Sequence, residues 1–138
     1  MKLNNLIIWF DGGVRKQNPG TPYGSHKVFR DDKLIGQGTW ELFDRAVTNN
    51  VAEYIALSTA LCNLTDTWLD IQHIIIYGDS ELVRNQIGVF IDGAWQAWEC
   101  NNVEFVPYIY YIRAELQKLN NWTYEHKPRK EVKKILGH

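Results

Sequence analysis

Two short apolar runs, each ending in an aspartate, place the strongest constraint on how this chain can fold. The first is LIIWFDGG, residues 6–13, and the second is IQHIIIYGD, residues 71–79. A continuous apolar run of this length is typical of a strand buried on both faces. Residues 48–64 between the runs carry apolar residues at helical spacing, and a helical crossover favours parallel pairing of the two strands. Asp11 and Asp79 then emerge at one sheet edge, where ligand sites of α/β proteins commonly lie.

The remaining pattern predicts a mixed α/β architecture. NPGTPYG, residues 18–24, is rich in turn residues, and two extended segments follow at 25–30 and 34–42, which predicts an antiparallel meander of three strands. A short helix over SELVRNQI, a longer helix over 106–119 and a final strand, WTYEHK, complete the order. We expect one domain over residues 1–138, with a five-stranded mixed sheet, antiparallel meander plus parallel strands, flanked by helices.

Composition is that of an ordinary globular domain. The chain has 138 residues, of which 45% are hydrophobic and 22% are charged. Its net charge of −1 means that the chain lacks the overall positive potential typical of many nucleic-acid-binding proteins. Cys62 and Cys100 lack metal-ligand spacing and secretory context, so we expect both thiols to be reduced. The N-terminal apolar run is too short for a signal peptide or a membrane span. We therefore expect a soluble, cytoplasmic monomer with no membrane partner.

A third acid joins the two aspartates. Glu53 begins the inward stripe of the predicted helix, which continues through Ala56, Leu57, Ala60, Leu61 and Leu64. Three carboxylates at one place repel one another unless cations hold them together. Carboxylate oxygens suit Mg²⁺ or Mn²⁺ rather than softer metals. Two such ions, about 3.5–4 Å apart, can activate a water and stabilise the leaving oxygen in phosphodiester hydrolysis.

Each acid also has an ordinary interpretation. Asp11 before two glycines fits a turn, and Glu53 fits the first turn of a helix, where the dipole favours an acid. Asp79 fits a cap for the helix that begins near Ser80. These explanations are independent of one another, whereas a metal site explains all three acids together, and it is therefore our prediction.

Over residues 7–129 the chain carries, in this order, the motifs DGG…NPG…YG, TNNVAEYIAL, YGDSELVRNQI and HKPRK. Together these motifs resemble those of type 1 ribonucleases H. The resemblance implies the ribonuclease H-like fold and an endoribonuclease that hydrolyses the RNA strand of RNA/DNA hybrids with two Mg²⁺ ions, for which Mn²⁺ can substitute. Asp11, Glu53 and Asp79 match three of the family's metal-binding, catalytic acids. His126 matches the family's mobile histidine near the scissile phosphate, although a histidine at a strand end is more often incidental.

The resemblance also implies a surface that contacts the hybrid. Asn18, Thr48, Asn49 and Asn50 match positions that touch the minor groove. Small polar side chains suit contacts with 2′-hydroxyls and sugar edges. Thr48, Asn49 or Asn50 can cap the predicted helix. Helix capping is the alternative to nucleic-acid contact for Asn49 and Asn50, and the two roles can coexist. The other implied nucleic-acid contacts are Gly12, Ser80, Lys127 and Arg129.

The chain departs from the family after His126. Family members carry a fourth carboxylate ten residues after this histidine, where this chain has Leu136, and an asparagine where it has Val132. Glu131 after a register shift, or His138, could supply the missing ligand, or the chain is a shortened or divergent form. Loss of one anionic ligand predicts weaker Mg²⁺ binding and a preference for Mn²⁺.

Two further segments bear on substrate binding. Residues 126–138 carry five Lys or Arg against one acid, which most often means a solvated tail, with a basic contact strip as the alternative. Residues 88–98, GVFIDGAWQAW, include Trp95 and Trp98 but no Lys or Arg, unlike the basic protrusion with which some family members grip the DNA strand. The C-terminal cations could compensate through phosphate contacts. Because the fourth carboxylate is missing, a catalytically weak nucleic-acid-binding protein on the same fold is the second hypothesis.

Overall fold

The computed structural model describes residues 5–64, 73–97, 103–118 and 121–137. In chain order the elements are β1 (Asn5–Arg15), β2 (Thr21–Arg30), β3 (Lys33–Glu41), α1 (Asn49–Cys62), β4 (His73–Gly78), α2 (Glu81–Ile87), β5 (Val89–Ile91), β6 (Ala94–Gln96), α3 (Val106–Gln117), β7 (Trp122–His126) and α4 (Arg129–Leu136).

The main sheet has five strands in the order β3-β2-β1-β4-β7. The strands β1, β2 and β3 form the antiparallel meander, while β4 pairs in parallel with β1 on one side and β7 on the other. The predicted five-stranded mixed sheet with flanking helices is confirmed. Its central strands are the two apolar runs with which the sequence constrains the fold.

Strand β1 is apolar from Leu6 to Phe10 because both of its faces are covered there. Leu6, Ile8 and Phe10 belong to the larger core, which also contains the buried residues of α1 and α3. Ile7 and Trp9 point to the other face, where α4 covers them. Since successive strand residues alternate between faces, a strand between two layers of helices needs apolar residues at every position.

Helix α4 stands where the sequence favours a solvated basic tail, so that prediction is wrong. Val132 and Leu136 lie one helical turn apart and are both buried in a small cluster with Trp9. Burial of these two side chains provides the apolar contact that orders an otherwise lysine-rich segment. Gly137, with φ of 84°, ends the helix in the left-handed conformation that glycine adopts readily.

Two other features differ from the sequence prediction. Strand β1 does not end at Phe10 but continues to Arg15, paired with the start of β2. A small hairpin of β5 and β6 follows α2, and its turn residues Asp92 and Gly93 both have positive φ, as a two-residue hairpin turn requires. Trp95 of this hairpin packs beside Trp122 rather than projecting into solvent.

Strand β2 begins at Thr21, four residues before the predicted start at 25, so part of the segment predicted as a turn belongs to the strand. The remaining predicted boundaries agree within two residues, as far as the described ranges allow. Helix α3 ends at Gln117 and strand β7 at His126, while the predicted ends at residues 71 and 119 lie outside those ranges. Cys62 is a free, exposed thiol, and Cys100 and Trp98 lie outside the described residues. In the described parts of the chain we find no helix both long enough and apolar enough to cross a membrane.

A carboxylate site at the edge of the sheet

Asp11 lies where the central pair of strands separates. The parallel pairing of β1 and β4 stops at Trp9 and Tyr77, whereas β1 continues alongside β2, with Asp11 opposite Ser25. Asp11 is therefore part of a regular strand rather than a turn residue, and the turn interpretation is wrong. Its side chain is only 6% exposed. Asp79 follows the last residue of β4, so both aspartates lie at the same sheet edge, as predicted.

Gly12 allows α1 to approach this edge closely. A Cβ atom at residue 12 would lie 2.2 Å from the carbonyl oxygen of Ala52 and 2.9 Å from the backbone nitrogen of Glu53. Only glycine leaves room for that contact between strand and helix. The contact sets Glu53 beside Asp11, so Gly12 has a packing role here, and its predicted contact with nucleic acid stays a prediction.

The three acids form one compact group. Asp11, Glu53 and Asp79 each offer a carboxylate oxygen, and these oxygens all lie within 4.8 Å of one another. Asp11 and Glu53 are buried, while Asp79 is partly exposed and opens the group to solvent. The convergence predicted from two strand ends and one helix stripe is thus present.

Without a cation, the electrostatic repulsion and burial of the three carboxylates cost free energy. Burial, followed by the charges of Asp11 and Asp79, raises the pKa of the Glu53 carboxyl well above its usual range. Its Oε2 atom is buried and has no hydrogen-bond partner among the described residues. Buried carboxylate oxygens without donors are suited to coordinating a hard divalent cation. The residues present therefore fit a Mg²⁺ or Mn²⁺ site.

Tyr124 is a residue of this site that the sequence analysis missed. Its hydroxyl donates a hydrogen bond to the backbone oxygen of Ser80 at 3.1 Å, directly after Asp79. Burial and then the charges of Glu53 and Asp79 raise the pKa of this phenol well above its usual range. The signal in the sequence is the alternation of WTYEH, which turns Trp122 and Tyr124 toward the core.

Ser80, rather than Asp79, caps α2. The Ser80 Oγ accepts a hydrogen bond from the Val83 N–H at 3.1 Å. The alternative that Asp79 serves as the cap is therefore wrong, and its carboxylate is left to the acidic group. A contact of Ser80 with nucleic acid stays a prediction.

The polar residues around the start of α1 act first as caps. The Thr48 Oγ1 accepts from the Val51 N–H, and the Asn18 Oδ1 accepts from the Asn49 N–H at 3.1 Å. The two loops are also joined by paired backbone hydrogen bonds between Gly20 and Val47. Thr48 and Asn50 are partly exposed, and Asn18 and Asn49 are exposed. Thr48 is the N-cap and Asn49 and Asn50 are the first residues of the helix, so the capping alternative is wrong for the two asparagines. The contact of this segment with the hybrid stays a prediction.

His126 and Lys127 lie one strand away from Asp79. His126 is exposed and stands opposite Gly78 in the register of β7 with β4. The Lys127 N–H donates to the Gly78 oxygen at 2.8 Å, and its ammonium lies 4.6 Å from the centre of the Tyr77 ring. Arg129 is exposed at the first turn of α4.

No carboxylate from α4 joins the group within the described residues. Leu136, at the family's fourth acidic position, is only 8% exposed and packs with Trp9. It also lines a cavity of about 330 Å³ with Ser25, the strand neighbour of Asp11. Glu131 is exposed and is not a member of the acidic group, and His138 lies outside the described residues.

Comparison with known proteins places this geometry in a family. Comparison with sequence profiles of protein families finds no match. The crystal structure of ribonuclease H1 from Halobacterium salinarum superposes with a TM-score of 0.74 at 27% identity, over 94% of this chain and 89% of that one. This chain is a type 1 ribonuclease H-like protein. The resemblance read from the sequence motifs is confirmed.

Further similarities agree with this assignment. The N-terminal ribonuclease H domain of Rv2228c from Mycobacterium tuberculosis has a TM-score of 0.76 at 22% identity, covering 97% of this chain and 91% of that one. LC11 ribonuclease H1, in complex with an RNA/DNA hybrid, has a TM-score of 0.74 at 22% identity, covering 94% and 89%. These two show the ribonuclease H fold.

One curated relative is similar in sequence. YpeP, an uncharacterised protein of Bacillus subtilis, is 36% identical over 153 residues. The match covers 98% of this ribonuclease H-like chain but only 60% of the length of YpeP.

Proposed function

We propose that this chain is a metal-dependent endonuclease that hydrolyses the RNA strand of RNA/DNA hybrids. The observation that carries the proposal is the group of three carboxylates within 4.8 Å, two of them buried, at one edge of a ribonuclease H fold. The structure of LC11 ribonuclease H1 with a hybrid supports the choice of substrate class.

Asp11, Glu53 and Asp79 are the residues that would hold two divalent ions. Such ions, when bound, lower the pKa of an attacking water and stabilise the charge on the leaving oxygen. The chain's own contribution is to fix the ligands in advance. Strand β1 holds Asp11 by its pairing with β2, and the contact at Gly12 holds Glu53 beside it. Tyr124 fixes the backbone after Asp79 through its bond to Ser80.

We assign His126 the movement of a proton in this reaction. It is exposed at the end of β7, next to Gly78 and one residue from Asp79 along the neighbouring strand. An imidazole can donate a proton from a ring nitrogen, and we assign His126 the delivery of a proton to the leaving oxygen of the scissile phosphate. The role of His126 does not require burial, since an exposed ring can follow the substrate.

Recognition of the RNA strand is assigned to the polar group around the start of α1. Thr48 caps α1 and Asn49 and Asn50 begin it, a few residues before Glu53. Asn18 lies on the adjoining loop, where its Oδ1 accepts from the Asn49 N–H. Amide and hydroxyl groups can both donate to and accept from a 2′-hydroxyl, which distinguishes RNA from DNA. The hydroxyl of Thr48 and one amide oxygen are used as caps, which leaves the other amide groups for the substrate.

The test is cleavage of a hybrid whose two strands carry different labels, with Mg²⁺ or Mn²⁺. We expect cleavage of the RNA strand alone, and none of single-stranded RNA or of duplex RNA or DNA. Asp11→Asn should lower the rate at least about a hundredfold because it removes one ligand charge. Asp92→Asn, at an exposed hairpin turn, is the matched control and should cleave normally. No cleavage by the parent chain with either metal refutes the proposal.

The second candidate is a catalytically weak nucleic-acid-binding protein. It is favoured by one observation, the buried Leu136 where the family carries a fourth carboxylate. That candidate predicts hybrid binding without cleavage in the same assay. The three retained acids argue against it, because a group used only for binding would not need mutually repelling carboxylates.

A further inference from the structure

Helix α4 carries its positive charges on one side. At about 100° per residue, the helix sorts its side chains around a circle. Val132 and Leu136 form the buried stripe. Four cations follow Leu136 within an arc of about 140°, and we call them the basic flank: Arg129, Lys130, Lys133 and Lys134. Glu131 and Ile135 lie on the opposite side of the buried stripe.

The basic flank is available to a partner. Arg129, Lys130 and Lys134 are exposed, and Lys133 is partly exposed. The ion pairs within the described ranges join Arg15 with Glu41, Arg45 with Asp44 and Lys118 with Glu115, so they leave the cations of α4 without an acidic partner in those ranges. Four like charges on one short helix repel one another and favour a polyanion.

The flank also lies next to the carboxylate site. At its start, α4 follows Lys127, whose N–H bonds to Gly78, the residue before Asp79. At its end, Leu136 lines a cavity with Ser25, the neighbour of Asp11. Because the basic flank follows Leu136 around the helix, on the side away from Val132, it continues the surface that borders the site.

The β5–β6 hairpin carries no positive charges of its own with which it could bind the phosphate backbone in place of the basic flank. Residues 88–98 include Asp92 and contain no Lys or Arg. Trp95 of this hairpin is committed to contacts with Trp122 and with the guanidinium of Arg113. The cations that follow the end of β7 along the chain are therefore those of Lys127 and the basic flank.

We propose that the basic flank binds the phosphate backbone of the nucleic-acid duplex whose cleaved strand occupies the carboxylate site. The proposal rests on the proposed function for the position of that duplex. The charge complementarity of four exposed or partly exposed cations and a polyphosphate strand is its physical basis. Each phosphate neutralised releases counterions, so the contribution is visible as a salt dependence of binding.

The test measures binding of a fluorescent RNA/DNA hybrid against salt concentration, in the Asp11→Asn protein so that the duplex stays intact. Lys130→Gln with Lys134→Gln removes two exposed charges of the flank without touching its buried stripe. Lys33→Gln with Lys118→Gln removes two exposed charges elsewhere and is the matched control. Thermal unfolding checks that both double variants remain folded. Duplex DNA of the same length separates backbone binding from hybrid recognition.

We expect the flank variant to weaken binding about tenfold at 0.1 M salt and to lower the slope of log K against log salt by about 2. Duplex DNA should lose the same slope, and the control should lose neither slope nor affinity. An unchanged slope in the flank variant, or an equal loss in the control, overturns the proposal. Cleavage is measured separately from binding. If the parent chain cleaves the hybrid but the flank variant keeps the parent's salt slope, only the proposal for the basic flank is refuted. A chain that binds through the flank but does not cleave refutes only the proposed function.

Discussion

The carboxylate group depends on one glycine. Gly12→Ala would place a methyl carbon 2.2 Å from the Ala52 oxygen, so α1 must move away from β1. We expect the free energy of unfolding to fall by about 1–3 kcal/mol, the usual range for overpacking. Denaturant unfolding measures this change. The matched control is Gly36→Ala in β3, where the nearest atom would be Val28 Cβ at 3.9 Å, and which should not destabilise the fold. Equal losses in the two variants would contradict the account.

His26 gives the fold a dependence on pH. Its ring is 3% exposed, Nδ1 has no hydrogen-bond partner among the described residues, and burial lowers its pKa below the ordinary value of 6.5. The unfolded chain therefore takes up the proton first as pH falls. The stability contributed by a neutral His26 is present above pH 6.5 and is lost progressively below it.

His26→Gln should remove this dependence. We expect the variant's unfolding free energy to change less than that of the parent between pH 7.5 and 5.5, since the amide does not titrate. Denaturant titrations at several pH values provide the measurement. Curves for parent and variant that run parallel across this range would show that His26 does not contribute.

At the scale of elements, α4 differs most from the family pattern. Leu136 packs against Trp9 at the position where the family resemblance implies an acid. Leu136→Asp should lower the unfolding free energy by about 2–5 kcal/mol without metal, because a buried leucine is replaced by a carboxylate. If the site holds divalent ions, added Mg²⁺ should restore more unfolding free energy in Leu136→Asp than in Leu136→Asn. The asparagine matches the aspartate in size but carries no charge. Thermal melts with and without Mg²⁺ make the comparison, and equal recovery in the two variants would count against it.

Elements with a strong pattern could be predicted from the sequence, and those ordered by distant contacts could not. Strand β1 and helix α1 carry apolar residues at strand and helix spacing, so their types followed directly. In contrast, α4 has only Val132, Ile135 and Leu136 as apolar residues, and its order comes from Trp9, over a hundred positions earlier. The extension of β1 past Asp11 likewise depends on pairing with β2 rather than on local residues.

The same division holds within the candidate site. The position of Glu53 could be predicted because it lies on the apolar stripe of α1, and the two aspartates because they follow apolar runs. Tyr124 was missed because its link to Ser80 joins β7 to the start of α2. Capping by Thr48 was one of three choices that the sequence left open, and the hydrogen bond to Val51 decides it.

At the scale of the whole molecule, the fold brings two kinds of charge together. The compact acidic group at the edge of β1 and β4 and the cations of α4 border the same surface. A nucleic acid with bound divalent cations complements both, since its phosphates meet the lysines and the cations meet the carboxylates. The net charge of −1 conceals this separation.

The central claim is that the three acids form a divalent metal site, and calorimetric titration of the chain with Mn²⁺ tests it most directly. We expect saturable binding by the parent chain, a loss of affinity of about tenfold or more in Asp11→Asn and Glu53→Gln, and no change in Asp92→Asn. Without metal, Asp11→Asn and Glu53→Gln should melt at a higher temperature than the parent, because they relieve repulsion. Equal Mn²⁺ affinity in Asp11→Asn and the parent, or no binding by the parent, would contradict the account.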